Sequence, residues 1–250
     1  HPTVTEFLSH AESVRAKSGW ERSFVPRRVE RIRAVDAGFS IDGDEFEHVL
    51  VATGHPGLAR IPGAVHAYEP HSYAAKVAIV GAGMAAATEW RNALAAGSEV
   101  VSVRRREPVF RPLNVPRELF SKRGLDRYRR TERARVLRGL SQPTYPAELH
   151  VDVPVADTPP TGFQVIAATG FLRGFRQDPL LADLVEAHGL ATRDRWIVLD
   201  DDSTVPGLTD DRRTLSLAGV AGQWAFPAAD TIAGAKYAAR AFARRVCRTR

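Results

Sequence analysis

The chain has 250 residues, of which 44% are hydrophobic and 26% charged, and its formal net charge is +6. This composition supports one large or two ordinary folded domains and argues against an intrinsically disordered chain. The only cysteine, Cys247, excludes an intrachain disulfide. Neither a signal peptide nor an apolar run of transmembrane length is visible, so we expect a cytoplasmic protein without a membrane segment.

The basic residues concentrate between residues 104 and 138, where acidic residues interrupt them. No RNP, zinc-finger or helix-turn-helix signature accompanies this basic stretch, so nucleic-acid binding is the weaker interpretation. We expect instead an arginine-rich surface with a few contacts to nucleotide phosphates.

The first 70 residues predict one helix followed by a small β-meander. Thr3 and Glu6 have the spacing of a capping box, so a helix is expected to begin there and to run to about Lys17. Three short strands are then expected, with a turn at Asp42-Gly43-Asp44 between the last two. These strands are Arg28–Val35, Gly38–Ile41 and His48–Ala52.

The stretch from Lys76 to Arg106 carries the most specific pattern of the chain. An apolar run at residues 77–80 suits a buried parallel strand, and the letters GAGMAA that follow match the dinucleotide fingerprint G-x-G-x-x-G/A. An alanine-rich helix is expected to end at Gly97, and a β-branched strand follows at residues 100–103. This strand–turn–helix–strand order predicts a Rossmann-like unit.

Each position of this turn has a physical role in holding a dinucleotide. Gly81 permits the tight turn, Gly83 lets a pyrophosphate approach the backbone, and Ala86 keeps the helix close to the strand. The first helical turn, with Met84 and Ala85, offers N–H groups and a partial positive charge to the phosphates. The sequence therefore predicts a nucleotide-binding site here.

The end of the second strand distinguishes NADP(H) from NAD(H). Sites for NAD place Asp or Glu there to bind the ribose 2′-hydroxyl, whereas this strand ends in Arg104, Arg105 and Arg106. A guanidinium group suits a 2′-phosphate, so Arg104 and Arg105 are the candidates for that contact. The alternatives are a mononucleotide-type turn, or a βαβ unit whose arginines only face solvent.

The rest of the chain predicts a loop-rich boundary and then a second α/β segment. Residues 113–140 look helical in parts, and five prolines between residues 143 and 160 predict loops. Asp230 is a candidate N-cap for the C-terminal helix. The expected strands are Phe163–Ala168, Arg195–Leu199 and Thr214–Leu217, and the expected helices are Leu180–His188, which ends at Gly189, and Thr231–Val246.

A strand followed by Ala-Thr-Gly occurs twice, and this doubled pattern carries a family resemblance. Val49–Gly54 is followed by a proline-bearing loop, then by His71-Ser72-Tyr73 and the glycine fingerprint, and Val165–Phe171 repeats the pattern. This order resembles the flavoproteins with two dinucleotide-binding domains, most closely the flavin-containing and N-hydroxylating monooxygenases. The resemblance covers most of the chain.

The resemblance implies an α/β fold with two domains. A Rossmann-like NADP(H) domain, residues 71–159, is inserted into the remainder of an FAD-type α/β domain with a small β-meander, residues 1–70 and 160–250. The family's own FAD-binding GxGxxG unit does not occur before residue 76. We therefore expect a fragment or a truncated homologue, with NADP(H) as cofactor and FAD binding dependent on that unit.

The resemblance also implies an activity and site residues. The expected reaction is the NADPH-dependent oxygenation of a small nitrogen or sulfur nucleophile through a flavin hydroperoxide, and no side chain is assigned as catalytic. The turns Thr53-Gly54 and Thr169-Gly170 are expected near the nicotinamide and the flavin. Ser72 is expected at a cofactor phosphate or ribose, and Asp230 on the flavin side.

Two other functions stay open at the level of sequence. One is a non-catalytic NADP(H)-binding sensor or accessory subunit, and the other is an NADPH-dependent reductase that uses a diffusible flavin. Disulfide reductases share the architecture but need a redox cysteine pair, which this chain does not supply. We expect no metal site, because the spacing of His66, Glu69 and His71 fits no helical ligand set.

Overall fold

The computed structural model describes residues 3–111, 121–140 and 144–247, and the chain divides into two units, residues 1–30 and 31–250. The first unit contains helix α1 (Val4–Ser18) and the short helix α2 (Trp20–Ser23). The predicted capping box is present, because Thr3 Oγ1 accepts from the Glu6 N–H and Glu6 Oε2 accepts from the Thr3 N–H. Gly19 ends α1 in the left-handed conformation. The predicted helix is thus confirmed.

The second unit begins with a three-stranded antiparallel meander of β1 (Ile32–Val35), β2 (Gly38–Ile41) and β3 (Asp44–Phe46). The turn at Asp42-Gly43 joins β2 to β3, with φ angles of 51° and 97°. The sequence placed this turn between β2 and the strand that begins at His48, and this was wrong. β3 escaped recognition because it has three exposed residues, two of them acidic.

The central sheet has five parallel strands. In spatial order they are β10 (Val155–Ala156), β7 (Glu99–Val103), β6 (Lys76–Val80), β11 (Gln164–Ala167) and β5 (Val65–His66). Val80 of β6 lies opposite Val103 in β7 and opposite Ala167 in β11. From β6 the chain continues to β7 and then to β10 on one side of β6, and β11 lies on the other side of β6. A topological switch point therefore lies between β6 and β11.

Helix α3 (Met84–Ala95) packs against this sheet, and the hydrophobic core lies between the helix and the strands. Its inner face is mostly alanine, which lets the helix axis approach the strands, and Gly97 follows it in the left-handed conformation, as predicted. The buried residues that meet there include Val77, Ile79, Ala86, Ala87, Trp90 and Ile166. The predicted strand–turn–helix–strand unit is thus confirmed.

The other strands form three pairs. β4 (His48–Val51) is parallel to β14 (Thr214–Leu217), β8 (Val109–Arg111) is parallel to β9 (Thr144–Pro146), and β12 (Thr192–Arg193) is antiparallel to β13 (Trp196–Ile197). The remaining helices are α4 (Lys122–Arg129), α5 (Arg133–Leu140), α6 (Pro179–His188) and α7 (Ile232–Val246). Across the described ranges, no helix is long and apolar enough to cross a membrane.

The structure confirms the α/β class and corrects some details. The N-cap of α7 is Thr231, whose Oγ1 accepts from the Gly234 N–H at 3.2 Å, and not Asp230. β5, β8, β9 and β10 were not predicted, because strands of two or three residues carry almost no periodic signal. The predicted NADP(H) domain, residues 71–159, stays a prediction; β5 and β11 of the central sheet lie outside these bounds. Residues 113–120 of the predicted helical stretch lie outside the described residues.

Candidate functional site

The glycine turn lies at the switch point, directly against the end of β11. Gly81 follows β6, and its φ of 143° is one that side-chain-bearing residues rarely adopt. A Cβ at this position would lie 2.4 Å from the carbonyl oxygen of Ala168. Two independent reasons, the backbone angle and the close approach, therefore require glycine here.

Gly83 is uncrowded, in contrast to Gly81. It is the N-cap of α3 with a φ of −96°, and a Cβ there would meet only Ala168 O, at 4.0 Å. Within the described residues no side chain caps this helix end, so the N–H groups of Met84, Ala85 and Ala86 have no acceptor inside the helix. The open space and these N–H groups form a cradle that suits a phosphate.

The two candidate arginines differ in their surroundings. Arg104 directly follows β7, at the same edge of the sheet as the glycine turn. Its side chain is 12% exposed, lies 5.4 Å from the centroid of the Trp90 ring and donates from Nη2 to Glu107 Oε2 at 2.9 Å. Arg105 is exposed. Arg104 is therefore held in place by its neighbours, which favours it for a defined contact.

The two Ala-Thr-Gly turns share a backbone conformation. Gly54 and Gly170 have φ angles of 74° and 75°, and each turn follows a parallel strand, β4 or β11. No heavy atom lies within 4 Å of the position that a Cβ would take at either glycine, among the parts of the chain that the structure describes. The repeated sequence thus forms a repeated structure with open space beside each turn.

The threonine hydroxyls of these turns are both used inside the protein. Thr53 Oγ1 donates to Asp178 Oδ2 at 2.9 Å, and Thr169 Oγ1 donates to the carbonyl oxygen of Ala59. Asp178 is buried and its other oxygen caps α6, accepting from the Leu180 N–H at 3.0 Å. Both threonine hydroxyls therefore help to fix the turns.

The loops that follow the two turns pair with each other. Leu58 and Phe171 form an antiparallel bridge, the Ala59 N–H donates to Gly170 O at 2.9 Å, and the Leu172 N–H donates to Gly57 O at 2.8 Å. These hydrogen bonds join segments more than 100 residues apart in sequence. The two turns that the sequence pattern singled out are therefore brought together.

A series of stacked rings lies at this junction. The His55 and Phe171 ring centroids are 4.3 Å apart, and those of Phe171 and Tyr68 are 4.9 Å apart. Burial is the main cause that lowers the pKa of His55; the positive charge of Arg173 adds to it, and Asp230 opposes it. The imidazole is thus biased toward its neutral form.

A cavity of about 330 Å³ adjoins the stacked rings. Its volume is at the lower end of the range for small-molecule pockets. Its lining includes Gly54, His55, Phe171, Arg195, Trp196 and Asp230. The first Ala-Thr-Gly turn and Asp230, which the resemblance assigns to the flavin and nicotinamide, thus line one cavity.

Ser72 lies at the other end of the central sheet. Its carbonyl oxygen accepts from Gln164 Nε2 at 2.8 Å, and Gln164 is the first residue of β11. The glycine turn is at the last residues of that strand. The contact of Ser72 with a cofactor therefore stays a prediction that this position does not support.

Sequence reasoning missed a buried polar cluster that ties α3 to the preceding loop. Glu89 Oε2 accepts from the Tyr73 hydroxyl at 2.8 Å and lies 3.0 Å from His71 Nε2, while His71 Nδ1 lies 2.7 Å from Glu69 O. Burial, followed by Glu89, raises the pKa of Tyr73 to about 12. The available signal was an acidic residue on the otherwise apolar inner face of α3. Glu107 was also missed, although it lies three residues after Arg104.

The residues present fit one dinucleotide. The turn at Gly81 supplies the close backbone approach, and the uncapped start of α3 supplies hydrogen-bond donors for one pyrophosphate. The sequence contains one such G-x-G-x-x-A turn, so an FAD pyrophosphate finds no second cradle of this kind in it. Within the described ranges, no group of three or more His, Cys, Asp or Glu residues could hold a metal ion.

Comparisons by sequence and by structure give different results. No protein-family model matches the chain, and no curated protein matches it significantly by sequence. The fold is similar to an ornithine hydroxylase from Pseudomonas aeruginosa, with a TM-score of 0.64 and 20% identity over 99% of this chain and 76% of that one. It is also similar to an ornithine N-hydroxylase from Kutzneria sp. 744, with a TM-score of 0.64 and 16% identity over 100% of this chain and 78% of that one.

A third similar structure is a flavin-containing monooxygenase from Stenotrophomonas maltophilia. Its TM-score is 0.56, with 22% identity over 95% of this chain and 76% of that one. The Kutzneria enzyme was solved with reduced FAD, NADP⁺ and L-ornithine. These likenesses extend over 95% or more of the chain. The chain has the fold of the flavin-dependent and N-hydroxylating monooxygenases.

Proposed function

We propose that the chain binds NADP(H) and serves an NADPH-dependent flavin oxidoreductase of the monooxygenase type, acting on a small nitrogen or sulfur nucleophile. One observation carries this proposal: the glycine turn and the second Ala-Thr-Gly turn meet at Gly81 and Ala168, at the switch point of the central sheet. Ligands of open α/β sheets bind at such a point. The solved monooxygenases of the same fold support the assignment.

The chain's residues have distinct tasks in this proposal. The backbone N–H groups at Met84, Ala85 and Ala86 hold the pyrophosphate beside Gly83. Arg104 receives the 2′-phosphate, because its guanidinium group is positioned by Trp90 at the adjacent strand end. The nicotinamide is then directed toward the two Ala-Thr-Gly turns.

The flavin side of the proposal rests on the cavity lined by Gly54 and Asp230. Gly54 and Asp230 would contact a flavin in this cavity, and such a group would supply the hydride-accepting and oxygen chemistry that side chains lack. The stacked rings of His55 and Phe171 line one side of this cavity. The carboxylate of Asp230 and the start of α7 offer polar contacts at its rim.

A second function is an NADP(H)-binding sensor or accessory subunit without catalysis. The observation that favours it is the single glycine fingerprint, which gives this sequence one pyrophosphate cradle. The purified protein separates the two functions. Flavin absorbance together with NADPH oxidation supports the oxidoreductase, whereas a colourless protein that binds NADPH, takes up no added FAD and oxidises no NADPH supports the sensor.

The decisive test of nucleotide binding is Gly83→Ser. Serine fits the extended backbone of Gly83 and caps helices well, so the fold is retained. Its side chain fills the cradle and its hydroxyl accepts from the same N–H groups that a phosphate needs. We expect NADPH affinity, measured by calorimetric titration, to fall at least about tenfold, or 1.4 kcal/mol.

Gly139→Ala is the matched control, because it lies in α5 with nothing within 4 Å of its Cβ position in the described structure. This control is expected to leave NADPH affinity unchanged. Equal affinity in Gly83→Ser and in the unaltered protein would contradict the proposed cradle.

A further inference from the structure

The Arg104 side chain already has an anionic partner, and this partner stands where a nucleotide phosphate is proposed to bind. The Arg104–Glu107 distance is 2.9 Å between Nη2 and Oε2. The two side chains differ in exposure, at 12% for Arg104 and 79% for Glu107. The arginine is thus fixed on the Trp90 ring, while the glutamate projects into solvent from the turn that follows β7.

This asymmetry makes the carboxylate the member of the pair that can move. An exposed ion pair contributes little, because water screens it and a long side chain loses rotamer freedom in making it. A phosphate carries more charge than a carboxylate and accepts two parallel hydrogen bonds from a guanidinium group. Arg104 Nε is buried and has no hydrogen-bond acceptor within the described residues, so the contact to a phosphate falls to the terminal nitrogens of the guanidinium group, one of which now holds Glu107.

We propose that Glu107 pairs with Arg104 in the nucleotide-free protein and is displaced by the 2′-phosphate, so that Glu107 limits the preference for NADPH over NADH. The inference rests on the proposed NADP(H) site. NADPH must break the Arg104–Glu107 pair before it binds, and NADH has no 2′-phosphate with which to do so. Removal of the carboxylate therefore strengthens NADPH binding and leaves NADH binding unchanged.

The test uses Glu107→Gln with two probes that differ only in the phosphate, 2′,5′-ADP and 5′-ADP. Affinity for 2′,5′-ADP, measured by calorimetric titration, is expected to rise roughly two- to fivefold, the size of an exposed ion pair. Affinity for 5′-ADP is expected to stay the same. The matched control is Glu99→Gln, which removes an exposed ion pair with Lys76 at the opposite end of the same strand, and it is expected to change neither affinity.

A double variant shows whether Glu107 acts through Arg104. In the Arg104→Ala background, Glu107→Gln is expected to have no effect on either probe, whereas a general change of surface charge would raise both affinities in both backgrounds. An unchanged ratio of the two affinities in Glu107→Gln would overturn the inference while leaving the nucleotide site intact. A protein that binds neither probe before any substitution would overturn the proposed function itself.

Discussion

At the scale of single residues, the two glycines of the turn serve different needs. Gly81 is required by the protein itself, because a Cβ there would collide with Ala168 O at 2.4 Å. Gly83 is open on the protein side, where a Cβ would meet only Ala168 O at 4.0 Å. We propose that this open space serves a bound phosphate, so that the motif contains one glycine for folding and one for binding.

Gly81→Ala tests the folding role. We expect the free energy of unfolding, measured in urea, to fall by about 2–4 kcal/mol, because a steric clash adds to a strained backbone angle. Gly97→Ala is the control: its φ is also positive, at 82°, but nothing lies within 4 Å of its Cβ position in the described structure. That variant is expected to lose only about 1–2 kcal/mol. Equal losses would show that the approach to Ala168 does not matter.

Arg104→Ala tests the choice of cofactor. The substitution removes the guanidinium group that is proposed to meet the 2′-phosphate, so NADPH affinity is expected to fall about tenfold or more, whereas NADH affinity changes less than twofold. Arg105→Ala is also expected to weaken NADPH binding more than NADH binding, but by a smaller factor than Arg104→Ala. The reason is that Arg105 is exposed and lacks the support of Trp90. An equal loss for both cofactors in Arg104→Ala would contradict the 2′-phosphate assignment.

At the scale of elements, helix α3 is held by a polar anchor as well as by its apolar face. Glu89 projects from its buried side and meets His71 and Tyr73 from the loop before β6. The same loop leads into the strand that carries the glycine turn. The cluster therefore ties the middle of α3 to the loop before β6.

Two substitutions in this cluster are expected to lower the free energy of unfolding by different amounts. Tyr73→Phe removes one hydrogen bond, and the free energy of unfolding is expected to fall by about 1 kcal/mol. Glu89→Ala leaves both the Tyr73 hydroxyl and His71 Nε2 without their buried acceptor, so a loss of about 2–4 kcal/mol is expected. Denaturant unfolding of the two variants checks this, and a smaller loss for Glu89→Ala than for Tyr73→Phe would contradict the anchor.

At the scale of the whole second unit, the loops after the two Ala-Thr-Gly turns hold together segments that are far apart in sequence. Their contacts include the bridge between Leu58 and Phe171 and the stack of Phe171 on His55. They lie beside the cavity, so the geometry of that cavity depends on segments that are distant in sequence. Changes at this junction are therefore expected to affect both stability and binding.

The pH dependence of the free energy of unfolding tests the environment of the His55 ring in the stack. Because burial lowers the pKa of His55 below its ordinary value of 6.5, the unfolded chain binds more protons than the folded one near that pH. The free energy of unfolding contributed by His55 is therefore present above about pH 6.5 and is lost as the pH falls toward the lower folded-state pKa. His55→Phe keeps a ring against Phe171 and removes the titration, so its unfolding free energy is expected to decline less between pH 7 and pH 5. Urea unfolding at several pH values measures this, and an unchanged slope would contradict it.

Local patterns identified the parts of the site that are continuous in sequence. The fingerprint at Gly81 and Gly83, the left-handed Gly97 after α3, and the arginines after β7 follow from residue type and spacing within about 30 residues. Backbone conformation and strand–helix order are decided over such short ranges, so these predictions agree with the structure. Short or charged strands such as β3 and β5 were missed because two or three residues give no measurable period.

The sequence by itself therefore determined a Rossmann-like unit with a glycine turn, an arginine at the adjacent strand end, and two repeated Ala-Thr-Gly turns. Only the tertiary structure decided that Gly81 meets Ala168 and that Asp178 holds Thr53. These contacts join residues 87 and 125 positions apart in the sequence. Such contacts arise when strands assemble side by side in a sheet and bury their shared faces, and no local periodicity records which distant residues will then meet.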